Sequence, residues 1–116
     1  MVDGKKVVFV GIPMAGKSDD EIRNELDETA QMYLSARFMN ESEVIFLNNY
    51  DYTDREPPDW VINKSIWYLH RALKLLSKCD EAVFGKGWQF ARGCVIEQQV
   101  CSLYGISTCL KREDCV

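Results

Sequence analysis

Residues 7–26 read VVFVGIPMAGKSDDEIRNEL, and this stretch sets the fold. Four consecutive apolar residues, Val7 to Val10, run into Gly11, and after Ser18 the apolar positions Ile22, Leu26, Ala30, Tyr33, Leu34 and Phe38 recur at helical spacing. A short continuous apolar run is the mark of a strand buried on both faces, and the period that follows predicts an amphipathic helix of about five turns. The turn between them, GIPMAGKS, satisfies the phosphate-loop pattern G-x-x-x-x-G-K-[ST]. Three features argue against a triphosphate there. Such a loop points successive backbone N–H groups at the anion, and Pro13 has none to give. Ser18 and Glu21 form S-x-x-E, a capping box that closes the helix start on itself. Asp19, Asp20 and Glu21 suit the helix dipole but set three carboxylates where the phosphates would sit. Asp51, the nearest candidate for a magnesium-holding carboxylate, follows its strand poorly. The glycines therefore predict a tight turn with close backbone approach to a smaller ligand, and no ATP or GTP hydrolysis that depends on Lys17.

The rest of the chain repeats the strand-then-helix alternation. Strands are expected at 5–10, Val44–Leu47, around Ala82–Phe84, and at Ile106–Leu110. Between them, helices are expected from Trp60 or Asn63 to Lys78 and from Phe90 to Tyr104, the latter ended by Gly105. A polar loop, NNYDYTDREPPD, precedes the second helix. No repeat or linker interrupts the pattern, so residues 1–116 read as one α/β domain. The expected architecture is a flavodoxin-like or Rossmann-like parallel sheet of about four to five strands with helices on both faces.

Composition narrows the functions. With 14 basic against 18 acidic side chains, the chain lacks the positive field that a nucleic acid polymer wants. No apolar run reaches the ~20 residues of a membrane helix, and no signal peptide is legible, so a cytoplasmic protein without a membrane partner is expected. The five cysteines are odd in number, form no C-x-x-C pair and stand apart from the single histidine, His70. No metal site and no cofactor is expected. Cys79, Cys94, Cys101 and Cys109 are expected as buried reduced thiols, with Cys115 exposed near the C-terminus.

In open parallel sheets, ligands bind beyond the carboxyl ends of the strands, where the winding direction reverses. If the strands lie in the order 2-1-3-4, that crevice falls between GIPMAGK and GKGWQFARG. The second of these belongs to CDEAVFGKGWQFARGCVIEQQVCSLYGI, residues 79–106. The first strand ending in G-x-P-M-x-G-K, followed by C-D-x-x-x-x-x-x-G-W-x-x-x-R-G-x-x-x-E, resembles the family called domain of unknown function 4406, within the nucleoside 2-deoxyribosyltransferase-like superfamily. The resemblance runs from about Val7 to Ile106. It implies a glutamate nucleophile near the start of the last long helix, which falls on Glu97. It also implies a site shared between subunits, hence a homodimer or higher oligomer, an expectation shared by the aromatic residues Trp60, Trp67 and Tyr68 expected on the surface of helix two.

The residues themselves fit part of this. A carboxylate in the early turns of a helix feels the positive end of the dipole, which favours its ionised form. Such a group beside an anomeric carbon can attack it, giving a glycosyl ester that water or a second base resolves. Gly93 permits close approach, and Arg92 has the fork to hold a phosphate or carboxylate. Trp88 suits either of two tasks, stacking on a base or covering the sheet edge, and Pro13 and Met14 shape the first loop. The expected site comprises Gly11, Pro13, Met14, Gly16, Trp88, Arg92, Gly93 and Glu97. Asp80 starts its strand and so lies at the opposite end. Two positions depart from the family pattern: Ala91 replaces a phosphate-binding serine and Ala72 an aspartate, which leaves no identifiable general acid. The expected activity is hydrolysis or glycosyl transfer on a nucleoside or nucleotide. The alternative is a non-catalytic module that binds or senses a nucleotide-derived metabolite.

Overall fold

The computed structural model describes residues 1–51 and 56–110. Four parallel strands, β1 (Lys6–Gly11), β2 (Val44–Leu47), β3 (Glu81–Phe84) and β4 (Ser107–Cys109), form one sheet in the order β2-β1-β3-β4. Three long helices connect them: α1 (Asp19–Arg37), α2 (Lys64–Leu76) and α3 (Arg92–Tyr104). This is a Rossmann-like, flavodoxin-like α/β sheet. The reversal of winding falls between β1 and β3, whose register pairs Val8 with Glu81 and Gly11 with Phe84.

The continuous apolar run of β1 is explained by burial on both sides. Val8, Val10 and Ile12 join α1 residues Ile22, Leu26, Tyr33 and Leu34 in one core, while Phe9 packs with Phe84, Ala82, Ala72, Leu75, Leu76, Cys94 and Cys101 in the other. Side chains that alternate along a strand go to opposite faces. Each large apolar side chain so buried contributes about 1.5–3 kcal/mol.

Local chemistry sets the helix ends. Ser18 and Glu21 form the expected capping box, with the Glu21 N–H donating to Ser18 Oγ at 3.2 Å and the Ser18 N–H to Glu21 Oε1 at 3.1 Å. Asn63 caps α2 by accepting from the Ile66 N–H at 3.0 Å, so the helix starts after Asn63 and Trp60 stands outside it. Helix α3 starts two residues later than its apolar pattern suggested, because Trp88–Phe90 form a short 3-10 turn, and it ends at Gly105 in the left-handed region (φ 76°). Asp80 accepts from the Val7 N–H at 2.8 Å and locks the entry to β3, at the end of the sheet away from the crevice.

Two surface expectations change. Trp67 and Tyr68 are half-buried, because the Arg71 guanidinium lies over both rings at 4.9 and 5.1 Å; Trp60 is exposed as expected. Cys94 and Cys101 are buried free thiols as expected; Cys79 is free but only half-buried, and Cys109 is disulfide-bonded, correcting the expectation of a reduced thiol there. Cys115 and part of the polar loop, residues 52–55, lie outside the described residues. Among the described residues no helix is long and apolar enough to cross a membrane.

Candidate active site

A cavity of about 810 Å³ opens at the carboxyl ends of β1 and β3. The β1–α1 loop forms one wall with Gly11, Pro13 and Met14. Asn49 and the first turns of α2 form a second, and the start of α3, from Phe90 to Glu97, forms the third. Six of the eight expected site residues, Gly11, Pro13, Met14, Arg92, Gly93 and Glu97, therefore meet in one place. The remaining two do not line it. Trp88 is turned into the core, packed on the Phe84 ring at 6.0 Å between centroids. Gly16 supplies a left-handed turn (φ 77°) with open space where a side chain would stand, so its task is the turn itself.

Gly11 is where close approach is required. A Cβ there would lie 2.7 Å from two carbons of the Phe84 ring and 3.3 Å from Glu97 Oε1. The missing side chain thus makes the space in which the Glu97 carboxyl sits against the end of β1. A backbone hydrogen bond from the Gly85 N–H to the Gly11 carbonyl, 2.9 Å long, ties the loops after β1 and β3 together.

Glu97 is 8 % exposed, and no hydrogen bond or ion pair among the described residues reaches its carboxyl. Burial alone pushes it up to about 8. This corrects the expectation of an ionised carboxylate held by the helix dipole. Glu97 lies in the second turn of α3, and the dipole's influence falls off within the first, so desolvation decides its charge. Its neighbour on the same helix, Cys94, is 4 % exposed and pushed up to about 12 by burial, with the Glu97 charge adding to the effect.

The phosphate-loop resemblance dissolves in the geometry. Lys17 Nζ is held by Glu25 at 2.7 Å and Ser18 is committed to its cap. Asp51 is paired with Arg23. Arg92 is exposed at the start of α3 and makes no ion pair among the described residues. Ala91 lines the cavity, whereas Ala72 is fully buried in the core, so that position could not present an aspartate to the ligand without rebuilding the fold. His70 is exposed on α2, its ring bonded to the Trp67 carbonyl, and it stands outside the lining.

Several lining residues carried no signal in the sequence: Asn49, Asn63, Ser65, Ile66, Tyr68, Leu69, Phe90 and Ile96. Asn49 is fixed from both sides, its amide donating to the Tyr68 carbonyl at 3.1 Å and its oxygen accepting from Arg71 at 3.4 Å. The legible hint was the polar loop itself, since a long connection at the carboxyl edge of a parallel sheet borders the crevice. Among the described residues no cluster of His, Cys, Asp or Glu is placed to hold a metal ion.

No protein-family model matches the sequence, and neither the curated proteins nor the solved structures yield a match.

Proposed function

We propose that the cavity acts on the glycosidic bond of a nucleoside or nucleotide, with Glu97 as nucleophile, by hydrolysis or by transfer to a second base. The observation that carries this reading is Glu97 set against Gly11 at the winding reversal: the residue is buried, yet no protein group among the described residues meets its carboxyl, whose oxygens stay accessible. A carboxyl that no protein group meets, at the wall of a cavity, is available to something brought from outside. The mixed wall suits a nucleoside: Met14, Ile66, Leu69 and Phe90 offer apolar contact, and Asn63 and Ser65 offer polar groups. In this mechanism a carboxylate oxygen attacks the anomeric carbon, the base departs, and water or another base resolves the ester. The family that the two sequence motifs resemble supports the same assignment.

A homodimer belongs to the proposal. Ile66 and Phe90 line the cavity yet are 61 % and 88 % exposed, and Trp60 and Ile62 precede the same helix at 76 % and 100 %. A second copy over this rim would remove that apolar surface from water.

One observation favours the second reading, a module that binds or senses a nucleotide-derived metabolite: burial pushes Glu97 up to about 8, so near neutral pH most of it is the uncharged acid. The test is a panel of nucleosides and nucleotides assayed for free-base release with the wild-type chain and Glu97→Gln. Release that disappears in the variant supports the glycosidic reading. Tight binding with no release from any member overturns it in favour of the binding module.

A further inference from the structure

A neutral base leaving an anomeric carbon takes the bond's electron pair and needs a proton. The ionisable side chains lining the cavity are Tyr68, Arg92, Cys94 and Glu97. Arg92 does not give up its proton in any workable pH range. Cys94 is buried and pushed up to about 12, which makes it a poor donor. Glu97 is engaged as nucleophile. Tyr68 is left, a phenol whose ring faces the Arg71 guanidinium at 5.1 Å. The chain's one histidine stands outside the lining.

The cavity has a second deficit. No cation among the described residues pairs with Glu97: Lys17 is held by Glu25, and the charge of Arg92 stands in solvent, where it is screened. A ligand carrying a positive charge on its base would supply the missing counter-charge and would need no acid to leave.

Resting on the glycosidic reading of this site, we infer that its substrates are N-glycosides whose base is quaternised at a ring nitrogen, such as pyridinium or N-alkylated purinium nucleosides. The cation entering beside the buried carboxyl favours its ionised form, and the released proton passes to solvent. A Glu97 carboxylate oxygen then bonds to the anomeric carbon. The C–N bond breaks, and its electron pair stays on the ring nitrogen, cancelling the positive charge. The base leaves neutral and unprotonated. Water attacks the same carbon, the ester C–O bond breaks with its pair returning to Glu97, and water's proton goes to solvent. Once the neutral base has left, Glu97 takes back one proton from solvent, so the sum is cationic nucleoside plus water giving neutral base, free sugar and one proton.

The test compares two matched pairs on the wild-type chain: nicotinamide riboside against its neutral 1,4-dihydro form, and 7-methylguanosine against guanosine. Each is run beside Glu97→Gln, which subtracts spontaneous hydrolysis. The expected result is base release from the cationic members exceeding that of Glu97→Gln by at least about 100-fold, and none from the neutral members. Glu97-dependent release from the neutral members at equal or greater rate overturns the inference while leaving the glycosidic reading standing. If that release falls in Tyr68→Phe, Tyr68 is the missing acid. No Glu97-dependent release from any of the four overturns this inference, and with the nucleoside panel also silent the parent reading falls too.

Discussion

Among the described residues two glutamates are buried, one at each end of the parallel strands, and they have opposite chemistry. Glu81, at the start of β3, is 3 % exposed, and Glu97, beyond the strands' carboxyl ends, is 8 % exposed. Tyr33 donates to Glu81 at 2.7 Å, Arg37 Nε at 3.0 Å and Lys6 at 3.2 Å. Burial pushes Glu81 up, but hydrogen bonds from Arg37 and Tyr33 and the Arg37 charge outweigh it, and the carboxyl ends below its ordinary value. Glu97 has burial and nothing to oppose it. Depth therefore does not decide what a buried acid does; its partners do. A carboxylate with its lone pairs filled is a structural staple, and one left empty is available to a ligand.

The largest expected effect is on turnover at Glu97. Glu97→Gln keeps the shape and removes the nucleophile, so activity on any substrate found should fall by roughly a thousandfold or more while ligand binding persists. Equal turnover in a rate assay would move the chemistry elsewhere. Next comes stability at Glu81. Glu81→Ala strips the partner from Arg37 and should cost about 3 kcal/mol in urea unfolding, whereas a loss under 1 kcal/mol would mean the network is ornamental.

The two acids should also respond to pH with opposite signs. Between the ordinary 4.5 and about 8, folded Glu97 holds a proton that the unfolded chain releases. Its contribution is thus complete below the unfolded value and lost as pH rises, by up to roughly 1.4 kcal/mol per pH unit. Glu97→Gln should flatten that slope in denaturation curves taken from pH 5 to 8. Glu81, with its folded value lowered, contributes above its unfolded value and loses that contribution as pH falls through the folded one. For catalysis by an ionised Glu97, kcat/KM should rise with pH, stand at half its plateau near 8 and level off above it; a profile that falls over this range would assign it a proton-donating role. The smallest effect belongs to Lys17. Lys17→Ala loses a half-exposed ion pair with Glu25 and should change stability by under ~1 kcal/mol, with no ATP or GTP hydrolysis to lose.

Much of the fold was legible because its signals are local. The run Val7–Val10, the S-x-x-E cap at Ser18 and the Gly105 stop each depend on residues within one turn or strand, and the structure keeps all three. The site was legible only in part. Gly11 ends β1 while Arg92, Gly93 and Glu97 belong to the helix that follows β3, and only the topology brings them together. Trp88 carried the composition of a stacking residue, but the 3-10 turn aims it into the core. The charge state of Glu97 is not legible in the sequence because its burial depends on the fold, which brings its carboxyl against Gly11 from a distant part of the chain. The Glu81 network escaped for a similar reason: Lys6, Tyr33 and Arg37 converge from two other elements, and no periodicity marks that meeting.

The bare start of α3 has a practical consequence. Ala91 offers no capping side chain, so the amides of Arg92, Gly93 and Cys94 have neither intrahelical acceptors nor a side-chain cap. At the edge of the cavity, these three protons should exchange with deuterated water far faster than those one turn further along, where the Val95 N–H is already bonded to the Ala91 carbonyl at 3.0 Å. The protein thus carries its own isotope label for occupancy: anything seated against that helix end would slow three adjacent amides, readable by mass spectrometry before any chemistry is known.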